Sequence, residues 1–78
     1  MVELVEYMVK GLADNLDEVK VTQEDTAIKV ELSKSDMGKV IGKQGKIVKA
    51  IRTIVRAAGM KEGVKYTVEI LDKSEDEE

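Results

Sequence analysis

The chain has 78 residues, a hydrophobic content of 42 % and a formal net charge of −3, and it contains neither cysteine nor histidine. A chain of this length forms one small domain that buries only about 60 % of its unfolded surface, so the core is small and leaves room for one site at most. The lack of both residue types excludes disulfides, thiolate and imidazole catalysis, and the usual zinc and haem sites.

The N-terminal segment predicts an amphipathic helix over residues 2–14. Its apolar residues recur at spacings of three and four, and they are Leu4, Val5, Met8, Val9, Leu12 and Leu16. The stretch "MVELVEYMVK" carries acidic residues among the apolar ones, and no part of the chain has an uninterrupted apolar run of about 18 residues. We therefore expect neither export nor membrane insertion, and we expect a cytoplasmic protein.

The next segment, "EVKVTQEDTAIKVELS", predicts a hairpin of two half-buried strands. Apolar and polar residues alternate on both sides of the polar stretch "QEDT". Val19 and Val21 share one face of the first strand, because successive side chains of a strand point to opposite faces. The second strand places Ile28, Val30 and Leu32 on one face in the same way.

Two helices follow the hairpin. Ser33, with Asp36 three residues later, is a variant of the capping box and predicts a short helix over residues 34–41 that ends at Gly42. The stretch "KIVKAIRTIVRAAG" predicts a second helix over residues 46–58. One half of its helical wheel is apolar and consists of Ile47, Val48, Ala50, Ile51, Ile54, Val55, Ala57 and Ala58. A single arc of the other half is basic and consists of Lys46, Lys49, Arg52 and Arg56.

The C-terminal part predicts a last strand and a tail. Gly59 is expected to close the preceding helix, and Val64, Tyr66, Val68 and Ile70 then alternate with polar residues as a strand. The tail, residues 73–78, is acidic and is predicted to be disordered. The order α-β-β-α-α-β over residues 1–72 predicts one α+β domain, with a three-stranded mixed sheet and three helices packed on one face.

Charge is distributed unevenly along this order. Residues 37–61 contain seven cations and no acidic residue, so the rest of the chain carries a net charge of −10. Ordinary solvated helix faces mix acidic and basic residues, as residues 3–20 do. The local asymmetry therefore indicates a polyanion as the partner, although an ordinary solvated face stays the alternative, above all for Arg56.

The glycines in "GKVIGKQGKI" do not form a known nucleotide loop. A Walker motif has four residues between its glycines and then Lys-Ser or Lys-Thr, whereas three residues separate Gly38 from Gly42 and Gln44 lacks the hydroxyl that holds Mg²⁺. A dinucleotide fingerprint needs a strand directly before its first glycine, and Gly38 falls within a predicted helix. We therefore expect no nucleotide cofactor and no metal.

The arrangement that remains is helix, Gly-x-x-Gly, helix, with strands outside it. In this respect "DMGKVIGKQGKIVKAIRTIVRAA" resembles the core of K-homology (KH) RNA-binding domains, in which a GxxG loop between two helices grips the backbone of about four nucleotides. The extra helix and strand before the core resemble the type II, prokaryotic, arrangement, and residues 1–72 are similar to small single-domain bacterial KH proteins of the KhpA type. The resemblance implies a binder of single-stranded RNA in post-transcriptional regulation or in cell-envelope processes, and not an enzyme.

Carried over by position, the resemblance makes "GKQG" the backbone-gripping loop. Two positions without Cβ let a phosphate approach the backbone, and the next helix begins there with the positive end of its dipole. We expect the apolar Ile28 and Val30 to form a wall for unstacked bases. The other predicted RNA-binding residues are Lys39, Val40, Ile41, Gly42, Lys43, Gln44, Gly45, Lys46, Lys49 and Arg52. Tyr7 and Tyr66 are predicted to pack in the core or at its edge rather than to stack on bases.

Two other function classes stay open. The alanine- and isoleucine-rich helix 46–58 is also suited to pairing with a second copy or with another KH protein, and the resemblance implies a homodimer or a heterodimer with a larger KH-containing protein. Catalysis is the weakest alternative, because the serines, threonines, lysines and carboxylates show no recognisable catalytic spacing. Single-stranded DNA is a second nucleic acid that such a groove could take.

Overall fold

The computed structural model describes residues 1–72, which contain three α-helices and one three-stranded sheet. In chain order the elements are α1 (Val2–Leu12), β1 (Lys20–Glu24), β2 (Ala27–Leu32), α2 (Lys34–Ile41), α3 (Lys46–Glu62) and β3 (Thr67–Asp72). Short 3₁₀ turns lie at Leu16–Glu18 and Lys43–Gly45. The tail predicted over residues 73–78 lies outside the described residues.

The central strand of the sheet is β2. It pairs antiparallel with β1, where Val21 lies opposite Val30, and parallel with β3, where Ile28 lies opposite Val68. Because β2 and β3 run in the same direction, the chain must cross over between them, and α2 and α3 form this crossover. The predicted three-stranded mixed sheet is confirmed.

The core lies between one face of the sheet and the three helices. Along β2 the apolar residues Ile28, Val30 and Leu32 are fully buried and alternate with half-buried residues on the other face. The helices and β3 complete the core with Val5, Val9, Ala13, Val40, Ile51, Val55 and Val68. This confirms the α+β class and the α-β-β-α-α-β order expected of a type II KH domain.

The helix α1 ends before the predicted residue 14. Ala13 is already extended, with φ −81° and ψ 149°, and the backbone N–H groups of Asp14 and Asn15 donate to the carboxylate of Asp36. Asp36 therefore anchors the connection between α1 and β1, and the predicted capping role was wrong because no side chain caps the start of α2. Leu16, which the spacing placed on the helix, lies in a 3₁₀ turn and is 50 % exposed.

Two details of α1 and the hairpin also differ from expectation. Tyr7 is 80 % exposed, because it lies about 200° around the helix from the buried Val5 and Val9, so its predicted packing was wrong. The hairpin turn is shorter than "QEDT", since β1 continues to Glu24 and only Asp25 and Thr26 connect the strands. Asp25 permits this tight turn by adopting a φ of 56°.

The helix α3 continues past Gly59, which was predicted to end it. The helix ends at Gly63, where the N–H groups of Gly63 and Val64 donate to the carbonyls of Met60 and Gly59. Gly59 is buried, and a Cβ there would lie 2.8 Å from a ring carbon of Tyr66. Its role is thus to let the segment before β3 pack against α3, and β3 begins only at Thr67.

Candidate nucleic-acid interface

The "GKQG" stretch forms a tight turn between α2 and α3. Three of its four residues have positive φ, with 76° at Gly42, 57° at Gln44 and 75° at Gly45. The N–H of Gly42 donates to the carbonyl of Gly38, and the N–H of Gly45 donates to the carbonyl of Gly42 at 3.2 Å. The first bond ends α2, and the second closes the turn.

The two glycines are required for different reasons. Gly42 combines φ 76° with ψ 176°, a region that only glycine adopts readily, and a Cβ there would lie 2.5 Å from Cγ1 of Ile47. At Gly45 a Cβ would meet only Cγ1 of Val48 at 3.9 Å, so its requirement is the left-handed backbone alone. The loop is therefore locked against the first turn of α3.

This locked turn presents cations and an uncapped helix terminus to solvent. Lys43 and Gln44 are exposed at its tip, and Lys46 is exposed at the first position of α3. No side chain caps the start of α3, and its first turn carries no acidic residue. The positive end of the dipole of a helix of 17 residues thus lies beside two lysines, which is a favourable site for an anion.

Helix α3 has one buried face and two distinct exposed surfaces. The buried face consists of Val48, Ile51, Val55 and Gly59. Next to it lies a basic face of exposed cations, formed by Lys49, Arg52 and Arg56. The rest of the exposed surface includes Ala50, Ile54 and Ala57, which we call the apolar stripe. The apolar half predicted from the wheel is therefore wider than the face that packs, because the sheet and the other helices cover only one side of it.

A groove lies between the basic face of α3 and β3. Nε of Arg52 donates to the carbonyl of Val68 at 3.2 Å, which spans the groove, and a cavity of about 150 Å³ lies there. Its lining residues are Arg52, Arg56, Tyr66, Thr67 and Val68. Because β3 is an outer strand of the sheet, backbone groups on its free edge are not paired within the sheet.

Three of these groove residues, Tyr66, Thr67 and Val68, were not predicted as site residues, and Arg56 was placed only on the basic arc. The signal for them was the predicted parallel pairing, which already makes β3 the outer strand beside the crossover helix α3. The phenol of Tyr66 donates to Oε1 of Glu62 at 3.0 Å, and this bond to a carboxylate raises the pKa of Tyr66 above its ordinary value. The ring also packs against the core, as predicted.

The predicted apolar wall was wrong. Ile28 and Val30 are completely buried, because they lie on the face of the central strand that the helices cover. Val40 is likewise completely buried, and Ile41 is half-buried at the end of α2. These residues belong to the core or lie at its edge, whereas the surface beside the cations is the groove along β3.

Lys39, a predicted phosphate contact, is already paired. Its ammonium group forms an ion pair with the carboxylate of Asp14 in the connection between α1 and β1. Asp36, which is 1 % exposed, holds this connection through the backbone N–H groups of Asp14 and Asn15, at 3.1 and 2.9 Å. The N–H of Asn15 above all lowers the pKa of the Asp36 carboxyl, helped by the side chains of Asn15 and Ser33 and opposed by burial.

Comparison with known proteins identifies the family of the chain. The chain matches the family described as KhpA/KhpB, KH domain, over residues 2–70. The chain belongs to the KhpA/KhpB KH-domain family. Curated relatives named RNA-binding protein KhpA are 49 % identical in Clostridium perfringens and 45 % identical in Bacillus subtilis. The alignments cover 91 and 90 % of this chain and 100 and 91 % of those relatives. No solved structure matches the chain.

The match to the KhpA/KhpB family includes every part of the candidate interface. Residues 2–70 contain the "GKQG" loop, the basic face of α3 and the groove along β3. Within the 72 residues that the structure describes, no helix is both long and apolar enough to span a membrane. The same residues contain no cluster of three or more carboxylates placed to hold a metal ion.

Proposed function

We propose that this chain binds single-stranded RNA, with the "GKQG" loop holding the backbone and the groove between α3 and β3 receiving bases. The observation that carries the proposal is the locked glycine turn directly before an uncapped, cationic helix. A left-handed glycine also occurs where it only ends a helix, but a turn that only connected two helices would not need an acid-free region with seven cations around it.

The phosphate would lie against the loop. Glycine at both ends of the turn leaves the backbone accessible, and the start of α3 offers N–H groups and a partial positive charge. Lys43 and Lys46 add two mobile charges, and the exposed amide of Gln44 adds a hydrogen-bond donor. Because the glycine backbone and the close contact with Ile47 hold the turn, little ordering cost opposes binding.

The bases would extend along the groove. Arg52 and Arg56 lie on one side of it, and the free edge of β3 offers peptide groups on the other. Cations on one side and free peptide groups on the other suit unstacked bases whose edges are exposed, which favours a single strand over a duplex. Tyr66 is the one aromatic residue that lines the described cavity, so stacking contributes little and we expect modest affinity.

The relatives support this proposal by name, since they are called RNA-binding proteins. A role in post-transcriptional regulation and a cytoplasmic location stay predictions for this chain. Single-stranded DNA stays the alternative ligand, because nothing in the groove addresses the 2′-hydroxyl in particular.

The test is a fluorescence titration of labelled single-stranded RNA at several salt concentrations. Contacts from three to five cations predict a slope of log affinity against log salt of roughly −2 to −3.5. Titrations with duplex RNA and with single-stranded DNA give the ligand preference. Tight binding that does not depend on salt, or a preference for duplex RNA, would contradict the proposal that a single strand binds along the groove.

The groove itself needs a matched pair of variants. Arg56→Gln removes a cation from the groove, and Lys20→Gln removes one from the exposed start of β1. We expect Arg56→Gln to weaken binding about threefold to tenfold more than Lys20→Gln, because only the first removes a direct contact. Equal effects would show that binding responds only to total charge.

A second candidate function is self-association through α3. The apolar stripe exposes Ile54 at 46 % between two alanines, and small residues let a second helix approach closely. We infer a homodimer through this stripe, and a larger KH-containing protein is the alternative partner. Ile54→Lys should convert a dimer to a monomer in light scattering without loss of helicity, while Tyr7→Lys, an exposed change on α1, should leave the dimer intact. A wild-type monomer at high concentration would exclude the homodimer.

A further inference from the structure

Lys39 and Asp14 form an exposed ion pair beside the candidate phosphate site. Lys39 lies in the last turn of α2, three residues before Gly42, and its side chain is 48 % exposed. The Asp14 side chain is 72 % exposed. An exposed pair of this kind contributes little to folding and exchanges easily with other ions. The Asp14 carboxylate nevertheless pairs with the Lys39 ammonium group, which would otherwise be available to RNA.

The fold imposes this pairing. Asp14 follows α1, and its backbone N–H donates to Oδ1 of Asp36 at 3.1 Å. Asp36 and Lys39 lie on the same short helix, α2. By binding the backbone of Asp14, the buried Asp36 carboxylate therefore brings the Asp14 side chain close to Lys39. Only the backbone of Asp14 is held in this way, and its carboxylate is therefore free to exchange.

We propose that Asp14 is an internal competitor of RNA phosphate for Lys39 and that it lowers the affinity of the chain for RNA. This inference rests on the proposed function. A carboxylate and a phosphate are both anionic acceptors for an ammonium group, so a phosphate can pair with Lys39 only by displacing Asp14. The displaced carboxylate then lies close to the phosphate and repels it. The strand should consequently run from the loop along α3 and not along α2.

The test is a double-mutant cycle with a charge-matched control. Asp14→Asn keeps the backbone bond to Asp36 and removes the charge. Asp25→Asn makes the same charge change in the hairpin turn, where asparagine also adopts the observed φ of 56°. Both substitutions are combined with Lys39→Gln. The probe is a fluorescein-labelled single-stranded RNA of random sequence, and melting curves check the fold of each variant.

We expect Asp14→Asn to tighten RNA binding about twofold to fivefold more than Asp25→Asn, which is the range for one exposed ion pair. The salt slope should become steeper by about 0.7, because one more cation contacts RNA. With Lys39→Gln present, Asp14→Asn should have no more effect than Asp25→Asn.

Two results would overturn the inference while leaving the proposed function intact. In the first, the wild-type protein binds RNA and Asp14→Asn and Asp25→Asn change its affinity equally. In the second, Asp14→Asn still raises the affinity for RNA when Lys39→Gln is present. Failure of the wild-type protein to bind the RNA would instead overturn the proposed function and this inference with it.

Discussion

Replacing Lys43 and Gln44 by aspartate separates the two roles of the "GKQG" stretch, as a turn and as a phosphate site. Both side chains are exposed at the tip of the loop, and the glycines on either side stay in place. The variant therefore changes the charge of the loop by three units without changing the turn that connects α2 to α3.

The effect on stability should be small. Gln44 has φ 57° and ψ 24°, a left-handed conformation that aspartate adopts more readily than glutamine does. Exposed substitutions away from caps and buried contacts typically change the free energy of unfolding by no more than about 0.5 kcal/mol. We therefore expect the same melting temperature within error and the same oligomeric state.

The effect on RNA affinity should be large. The variant loses the ammonium group of Lys43 and places two carboxylates at the terminus of α3, where we expect phosphate to bind. We expect affinity to fall at least about tenfold, which corresponds to 1.4 kcal/mol or more. The slope of log affinity against log salt should become shallower by about 0.7 for the one lost cation.

A neutral control separates charge from shape. Lys43→Gln with Gln44→Asn removes the cation and adds no anion, so its affinity should lie between those of the wild type and the aspartate variant. The measurements are a melting curve and an RNA titration for each protein. Unchanged affinity in the aspartate variant would refute phosphate binding at "GKQG". The stretch would then be a turn only, and self-association through α3 would become the favoured function.

Two further predictions follow from the backbone and the buried carboxylate. Gly42→Ala should destabilise the fold by about 3 kcal/mol, through strain and overlap with Ile47, whereas Gly45→Ala should cost about 1–2 kcal/mol; equal losses in urea denaturation would contradict this difference. Asp36 has a lowered pKa, so its stabilisation is complete above its unfolded pKa of about 3.9 and is lost as the pH falls through the folded value. Asp36→Asn should therefore be less stable at pH 7 and should vary less with pH below about 4, and parallel pH profiles of the two proteins would contradict the anchoring role.

Much of the architecture is predictable because it depends on local periodicity. The spacing of Val5 and Val9 identifies α1, and the alternation of Ile28, Val30 and Leu32 identifies β2. The two helices between β2 and the last strand imply a parallel pair, and the structure has it. Helix α2 spans the predicted residues, and its end was predictable because Gly42 terminates it locally.

Boundaries that depend on distant contacts were predicted less well. Gly59 has the residue type that ends a helix, yet it stays helical and packs against Tyr66 of the segment before β3, and α3 ends at Gly63. α1 ends early because Asp36, more than twenty residues away in sequence, binds the N–H groups that follow it. Neither contact has a periodic signal in the sequence.

The sequence by itself determined the loop, the basic face of α3 and the family resemblance, since these depend on residue type and on spacing within one segment. Only the tertiary structure decided which apolar residues are accessible. It buries Ile28 and Val30 under the helices, leaves Ile54 exposed and opens the groove along β3. It also pairs Lys39 with Asp14. Burial and ion pairing depend on which segments meet in space, and segments that meet through the sheet are remote in the chain.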